Sequence, residues 1–158
     1  MRVNTLKAVN VIFFLLFAAG LDSCRSQVIS NQAQNLVISM ERTSCFGTCP
    51  VYKVEIFDSG LIKFTGESHH EMIGNYRSHI DWKPLQVLRE KFRQANFFSF
   101  KKEYMSSLQD LPSTYLYFKD GENEKNVLDY GNAAPAELKN LEQAIDELIR
   151  TNTWKKAD

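Results

Sequence analysis

Tyr52-Lys53-Val54-Glu55-Ile56-Phe57-Asp58-Ser59-Gly60-Leu61-Ile62-Lys63-Phe64-Thr65 reads as one β-hairpin. Tyr52, Val54 and Ile56 alternate with Lys53 and Glu55, which is the period of a strand with one apolar face. Asp58-Ser59-Gly60 breaks the run, and Leu61 to Thr65 resumes it. Three turn residues with glycine last suit a G1-bulge hairpin, because glycine takes the left-handed conformation without strain. A hairpin forces antiparallel pairing, so the sheet built on it is expected to be mostly antiparallel.

Working outward, Leu36, Ile38 and Met40 alternate with Val37, Ser39 and Glu41 as a strand ahead of the hairpin. Residues 67–74 read as a loop. Tyr76, Ser78 and Ile80 share one face of a fourth strand. Asp81 is a candidate helix cap and Pro84 suits a first helical turn. Leu85, Leu88, Phe92 and Ala95 then repeat at helical spacing, with Phe97, Phe98, Phe100 and Tyr104 as an aromatic exit. These four aromatics are expected in the core rather than around a ligand cleft. Residues 105–112 read as a loop, residues 114–118 and 126–130 as paired strands, and Asp120-Gly121 as their turn. Asn132 and Pro135 announce a last helix, with Leu138, Leu141, Ile145 and Leu148 on one side and Trp154 behind its end. Two one-sided helices need an apolar floor. The expected fold is α+β, a mostly antiparallel sheet of about five or six strands with two helices on one face.

The start of the chain carries a different signal. Arg2 and Lys7 precede the unbroken small and apolar run of residues 11–21, which ends in Leu21-Asp22-Ser23-Cys24. A run of that length fits the ~7–15 residues of a secretory signal core, not the ~20 of a membrane span. Leu21-Asp22-Ser23-Cys24 resembles the lipobox of bacterial lipoproteins. The resemblance implies a signal peptide over residues 1–23, a lipidated Cys24, and a tether over residues 24–35 leading to a single domain over residues 36–154. Two or more acyl chains hold a protein firmly to a membrane. Arg25 stands where an aspartate would imply retention in the inner membrane, so the resemblance implies the outer membrane, facing the periplasm. The membrane, through Cys24, is therefore one expected partner.

Composition limits the rest. The chain holds 19 Lys plus Arg and 19 Asp plus Glu, and is 44% hydrophobic and 12% aromatic, enough to build a core. No basic excess is present to attract nucleic acid, and none is expected as a partner. If Cys24 carries lipid, Cys45 and Cys49 are left as an even pair in an oxidising compartment, which favours a disulfide.

The pair sits in Ser44-Cys45-Phe46-Gly47-Thr48-Cys49-Pro50-Val51-Tyr52. This stretch resembles the opening signature of a family of small bacterial lipoprotein domains of unknown function. The resemblance continues through Glu55-Ile56-Phe57-Asp58-Ser59-Gly60, Phe64-Thr65-Gly66, Tyr130 and Ile145-Asp146, and covers most of the domain. It implies a fold and no established activity. Cysteines four apart can be bridged if the chain turns between them, with Gly47 as the expected pivot. Thiol–disulfide exchange is the competing chemistry. Redox pairs favour Cys-x-x-Cys at a helix N-terminus, whereas here the spacing is one longer and a strand follows. The pair also supplies half of a zinc site, which His69, His70 or His79 would have to complete. His69-His70-Glu71 reads as solvated loop.

No phosphate-cradling glycine loop, serine elbow or His-Glu-x-x-His helix occurs in the sequence. Asp58 and Asp120 sit in turns, where aspartate ordinarily bonds its own backbone. No catalytic residue, metal ligand or cofactor is assigned. Tyr115 and Tyr117 share a strand face opposite Leu116 and form a candidate surface for a peptide, a glycan or an envelope protein. A lipid-tethered binding domain is the expected function, and a redox protein acting through Cys45 and Cys49 is the alternative.

Overall fold

The computed structural model describes residues 34–157. The signal, the lipidation cysteine and most of the tether expected above lie outside these residues. Eight strands and two helices follow one another as β1 (Leu36–Arg42), β2 (Val51–Phe57), β3 (Leu61–Ser68), β4 (Gly74–His79), α1 (Trp82–Gln94), β5 (Glu103–Met105), β6 (Ser113–Asp120), β7 (Asn123–Tyr130), α2 (Ala136–Thr151) and β8 (Lys155–Lys156). They form one sheet in the order β5-β7-β6-β1-β2-β3-β4-β8. Every pairing is antiparallel except β5 with β7. The class is therefore α+β, with more strands than the expected five or six. The two additional strands are three and two residues long. Segments that short carry no readable period; they become strands only because β7 and β4 offer unpaired edges.

The hairpin of β2 and β3 forms as read. Gly60 stands at φ 85 and its N–H donates to the Phe57 carbonyl at 3.0 Å. The turn aspartates do not bond their own backbone. Asp58 accepts from the backbone and the side chain of Asn35, at 3.2 and 2.8 Å. Asp120 accepts from Arg89 and Arg93 of α1, at 2.7–2.8 Å.

Period two places Ile38 and Met40, Val54 and Ile56, Ile62 and Phe64, and Leu116 and Phe118 on one side of the sheet, all buried. Leu85, Leu88 and Phe92 of α1 and Leu138, Leu141 and Ile145 of α2 join the same core. Both helices thus cover one face. Asp81 occupies the cap position of α1, yet its side chain makes no capping bond, and Pro135 takes that position in α2. Of the aromatic exit, Phe97 is buried, with its ring 5.2 Å from Phe92 and 5.8 Å from Phe118, while Phe98, Phe100 and Tyr104 are partly buried and pack against the core. Trp154 packs behind α2, donating its indole N–H to the Ile149 carbonyl at 2.8 Å.

The helices cross the strands in opposite senses. α1 reaches Asp120 at the β6–β7 turn through Arg89 and Arg93. α2 starts beside Asp129 of β7, passes Arg42 of β1, and ends where Trp154 meets Phe64 of β3, with ring centres 5.5 Å apart. It therefore roofs the end of the sheet where β1 stops and β2 starts.

Candidate functional site

Arg42 is the last residue of β1, in phase with Ile38 and Met40, so its side chain points beneath α2 rather than to solvent. Its cross-strand neighbours are Tyr52 in β2 and Thr114 in β6. The guanidinium donates to the Tyr52 hydroxyl at 2.9 Å, to Thr114 Oγ1 at 3.2 Å and to Asp146 Oδ2 at 2.8 Å. It also lies 3.5 Å from Glu142. The Tyr52 hydroxyl in turn donates to the other oxygen of Asp146. Glu142 and Asp146 are one helical turn apart on α2, so both carboxylates face the same arginine.

The cluster continues inward. Lys139, a turn earlier on α2, bonds Asp129 of β7 and lies 3.4 Å from Glu142. Asp129 and Glu142 are each only 2% exposed. Burial pushes the Glu142 carboxyl above its ordinary value; Lys139 and Arg42 pull it back only in part, and the Asp129 charge adds to the rise. One oxygen of Glu142, Oε1, is buried with no hydrogen-bond partner. Burial also raises the Tyr52 phenol far above its usual range, against the pull of Arg42, so it keeps its proton at neutral pH. Burial draws Arg42 down, but Tyr52, Asp146 and Glu142 more than offset this.

Beside the cluster opens a groove of about 660 Å³, bordered by Arg42, Tyr52, His70, Met72, Asp146 and Trp154. His70 and Trp154 give it partly exposed aromatic walls, packed on the buried ring of Phe64. The Phe64 ring lies 5.5 Å from Tyr52, 4.8 Å from His70 and 5.5 Å from Trp154. His70 is oriented by its Nδ1, which accepts the Met72 backbone N–H at 3.0 Å. Gly66 of β3 makes this possible, since a Cβ there would fall 1.8 Å from the Met72 carbonyl oxygen. The glycine lets the loop of residues 69–73 fold down onto the sheet.

Pro50 borders the groove and follows the Cys45–Cys49 disulfide, whose Cα atoms are 5.7 Å apart. Gly47 does not take a left-handed φ, and a Cβ on it would meet only Cys45 Sγ, at 3.7 Å. The turn is closed by the Gly47 N–H donating to the Cys45 carbonyl at 2.9 Å. Phe46, at the tip, is 94% exposed, and its N–H donates to the Asp110 carbonyl of the neighbouring loop at 3.2 Å.

The other expected site residues lie elsewhere. Tyr115 and Tyr117 stand on the open face of the sheet, away from the groove, and Leu116 between them is buried. The Tyr117 hydroxyl donates to Glu124 at 2.8 Å, and its pKa is pushed up to about 12 by burial and then by that carboxylate. His69 and His70 sit at the groove, while His79 lies at the other end of the sheet beside the Ser59 carbonyl. The three histidines therefore do not converge. Among the described residues no group of three or more His, Cys, Asp or Glu is placed to hold a metal ion.

Arg42, Asp129, Lys139, Glu142 and Asp146 were not singled out as site residues by sequence reasoning. A signal existed: Arg42 keeps the phase of Ile38 and Met40, Asp129 the phase of Val127, and Glu142 the stripe of Leu138, Leu141 and Ile145. Charged residues in apolar phase demand partners.

Fold and groove together define a small α+β domain that keeps its charged groups paired under a helix and exposes an aromatic-walled recess. Residues 36–149 match the family model of a domain of unknown function, DUF6438, and the chain belongs to that family. The matched span holds Arg42, Tyr52, His70 and Asp146; Trp154, which closes the groove, lies beyond it. No curated protein matches the chain.

Proposed function

We propose that this protein is a lipid-anchored protein of the bacterial cell envelope whose domain binds a ligand or partner in the Arg42–Tyr52–Asp146 groove without transforming it. The observation that carries the binding reading is the mutual pairing of that trio. The guanidinium, the phenol and the carboxylate are each committed to one another, and the phenol keeps its proton. Groups so held make a fixed recognition surface and poor nucleophiles or bases. The groove, rather than the Tyr115 and Tyr117 face, is favoured because it is concave and combines apolar walls with a few oriented polar groups.

The address rests on the leader. Residues 1–23 serve as signal peptide, Cys24 carries the lipid, residues 24–35 form the tether, and the protein sits in the outer membrane facing the periplasm. A radioactive fatty acid should label the protein in cells, and the label should vanish in Cys24→Ala. Label that persists in the variant refutes the anchor.

The Cys45–Cys49 bond serves as a structural lock and not as a redox centre. In support, neither cysteine lies on a helix; the two flank the turn between β1 and β2. No exchange with millimolar glutathione is expected, and ready exchange would favour the redox reading. For the binding reading, a photo-crosslinking residue at exposed His69 of the full-length chain should trap a product in cells. The same residue at Lys119, remote from the groove, should not. Equal yields at the two positions, or none at either, would sink the reading.

A further inference from the structure

We infer that the groove takes a neutral, hydroxyl-rich ring ligand, a sugar unit of an uncharged glycan; this rests on the binding reading above. The first argument is charge. Of the two arginines at the groove, Arg42 is committed to Tyr52, Thr114 and Asp146, and Arg150 forks onto Glu147 at 2.6–3.1 Å. These two guanidiniums border the groove together with two carboxylates, Asp146 and Glu71, so the lining carries no positive excess to draw an anionic ligand. What the groove offers is acceptors: Asp146 borders it with a side chain 42% exposed, and its carboxylate keeps lone-pair capacity beyond the bonds from Arg42 and Tyr52. Ligand hydroxyls donate to such groups.

The second argument is the floor. It is made by β1 and β2, which are interior strands with a neighbour on each side. Their backbone N–H and C=O groups are engaged in the sheet, so an extended peptide has no edge to pair with. Recognition must come from side chains. The third argument is the wall. Phe64 is wholly buried and Tyr52 only 5% exposed, so the aromatic surface a ligand reaches is that of His70 and Trp154, both packed on Phe64, with Trp154 pinned through its indole N–H. A rigid aromatic surface beside hydrogen-bond acceptors matches a ligand with an apolar ring face and a polar rim, and costs little side-chain entropy on binding. The recess, at about 660 Å³, has room for a short oligosaccharide.

The test is an array of neutral glycans, acidic glycans and peptides probed with full-length protein. It is read together with Trp154 emission in a Trp82→Phe background, since the other tryptophan, Trp82, is exposed on α1 away from the groove. Neutral oligosaccharides should be retained and should shift the emission. Asp146→Asn should weaken retention by about tenfold or more, as expected for loss of a charged hydrogen-bond acceptor. Trp154→Phe, which keeps a ring in place, should retain binding more weakly while abolishing the optical signal. Retention of only acidic glycans, or only peptides, overturns this inference and leaves the binding reading standing. If no class is retained and the emission never moves, both fall.

Discussion

Asp120 and Glu142 show how position sets the behaviour of one functional group. Asp120 accepts hydrogen bonds from Arg93 and Arg89, which hold its carboxyl down at about 2 against the opposing effect of burial. A carboxyl depressed in the folded state stabilises the fold above its ordinary pKa and loses that contribution as pH falls. Stability should therefore drop between about pH 4 and pH 2. The component is of order 1 kcal/mol once screening at this partly exposed site is discounted. It should disappear from the acid limb of a denaturation series in Asp120→Asn. Glu142 has the opposite sign. Its carboxyl is raised by burial, so the folded state holds the proton longer and stability is lost as pH rises from the ordinary 4.5 upward. Glu142→Gln, still facing Arg42, Lys139 and Asp129, should flatten that decline. A variant whose stability falls as steeply as the wild type above pH 4.5 would show that Glu142 is already ionised.

Elements meet through narrow steric permissions. At Gly66, β3 lets the Met72 carbonyl approach so closely that any Cβ would collide with backbone, which cannot swing aside as a flexible side chain would. Gly66→Ala should lift the loop of residues 69–73, withdraw His70 from Phe64, and cost about 1–3 kcal/mol. Chemical denaturation reads the cost, and the His70 ring resonances read the displacement. Unchanged His70 shifts would mean that another segment gives way. The disulfide acts on the other loop bordering the groove. Closing a five-residue loop stabilises by about 2 kcal/mol on the chain-entropy estimate. Cys45→Ser with Cys49→Ser should lower stability by about that amount while leaving the sheet intact, measured by urea midpoint and far-ultraviolet circular dichroism.

For the molecule as a whole, one core joins both helices to the sheet, so a fault in either should be felt throughout the domain. Leu141 is 3% exposed on the buried side of α2. Leu141→Asp places an unpaired carboxylate in that core and should unfold the domain outright, seen as loss of the cooperative thermal transition. A wild-type melting curve would mean that this side of α2 is not part of the core. The chain enters the described domain at Asn35, bonded to Asp58 at one end of β1, and the groove lies at the other. Seven residues of strand put roughly 20 Å between them. The N-terminal connection does not cross the groove within the described residues. Among those residues no helix is long and apolar enough to cross a membrane.

Six strands, both helices and the hairpin turn at Gly60 were legible in the linear order of residues, because alternation, helical stripes and turn residues are local signals that survive without tertiary context. The same holds for the phase that carries Arg42 and Glu142 inward. Other features depend on partners distant along the chain. β5 and β8 exist only against the edges of β7 and β4. Arg42 meets Asp146 across 104 residues, and Tyr52 meets the same carboxylate across 94. Local pattern can say that a charged side chain must be buried. It cannot say which opposite charge will be there to receive it, because that is settled by how two helices cross one face of the sheet.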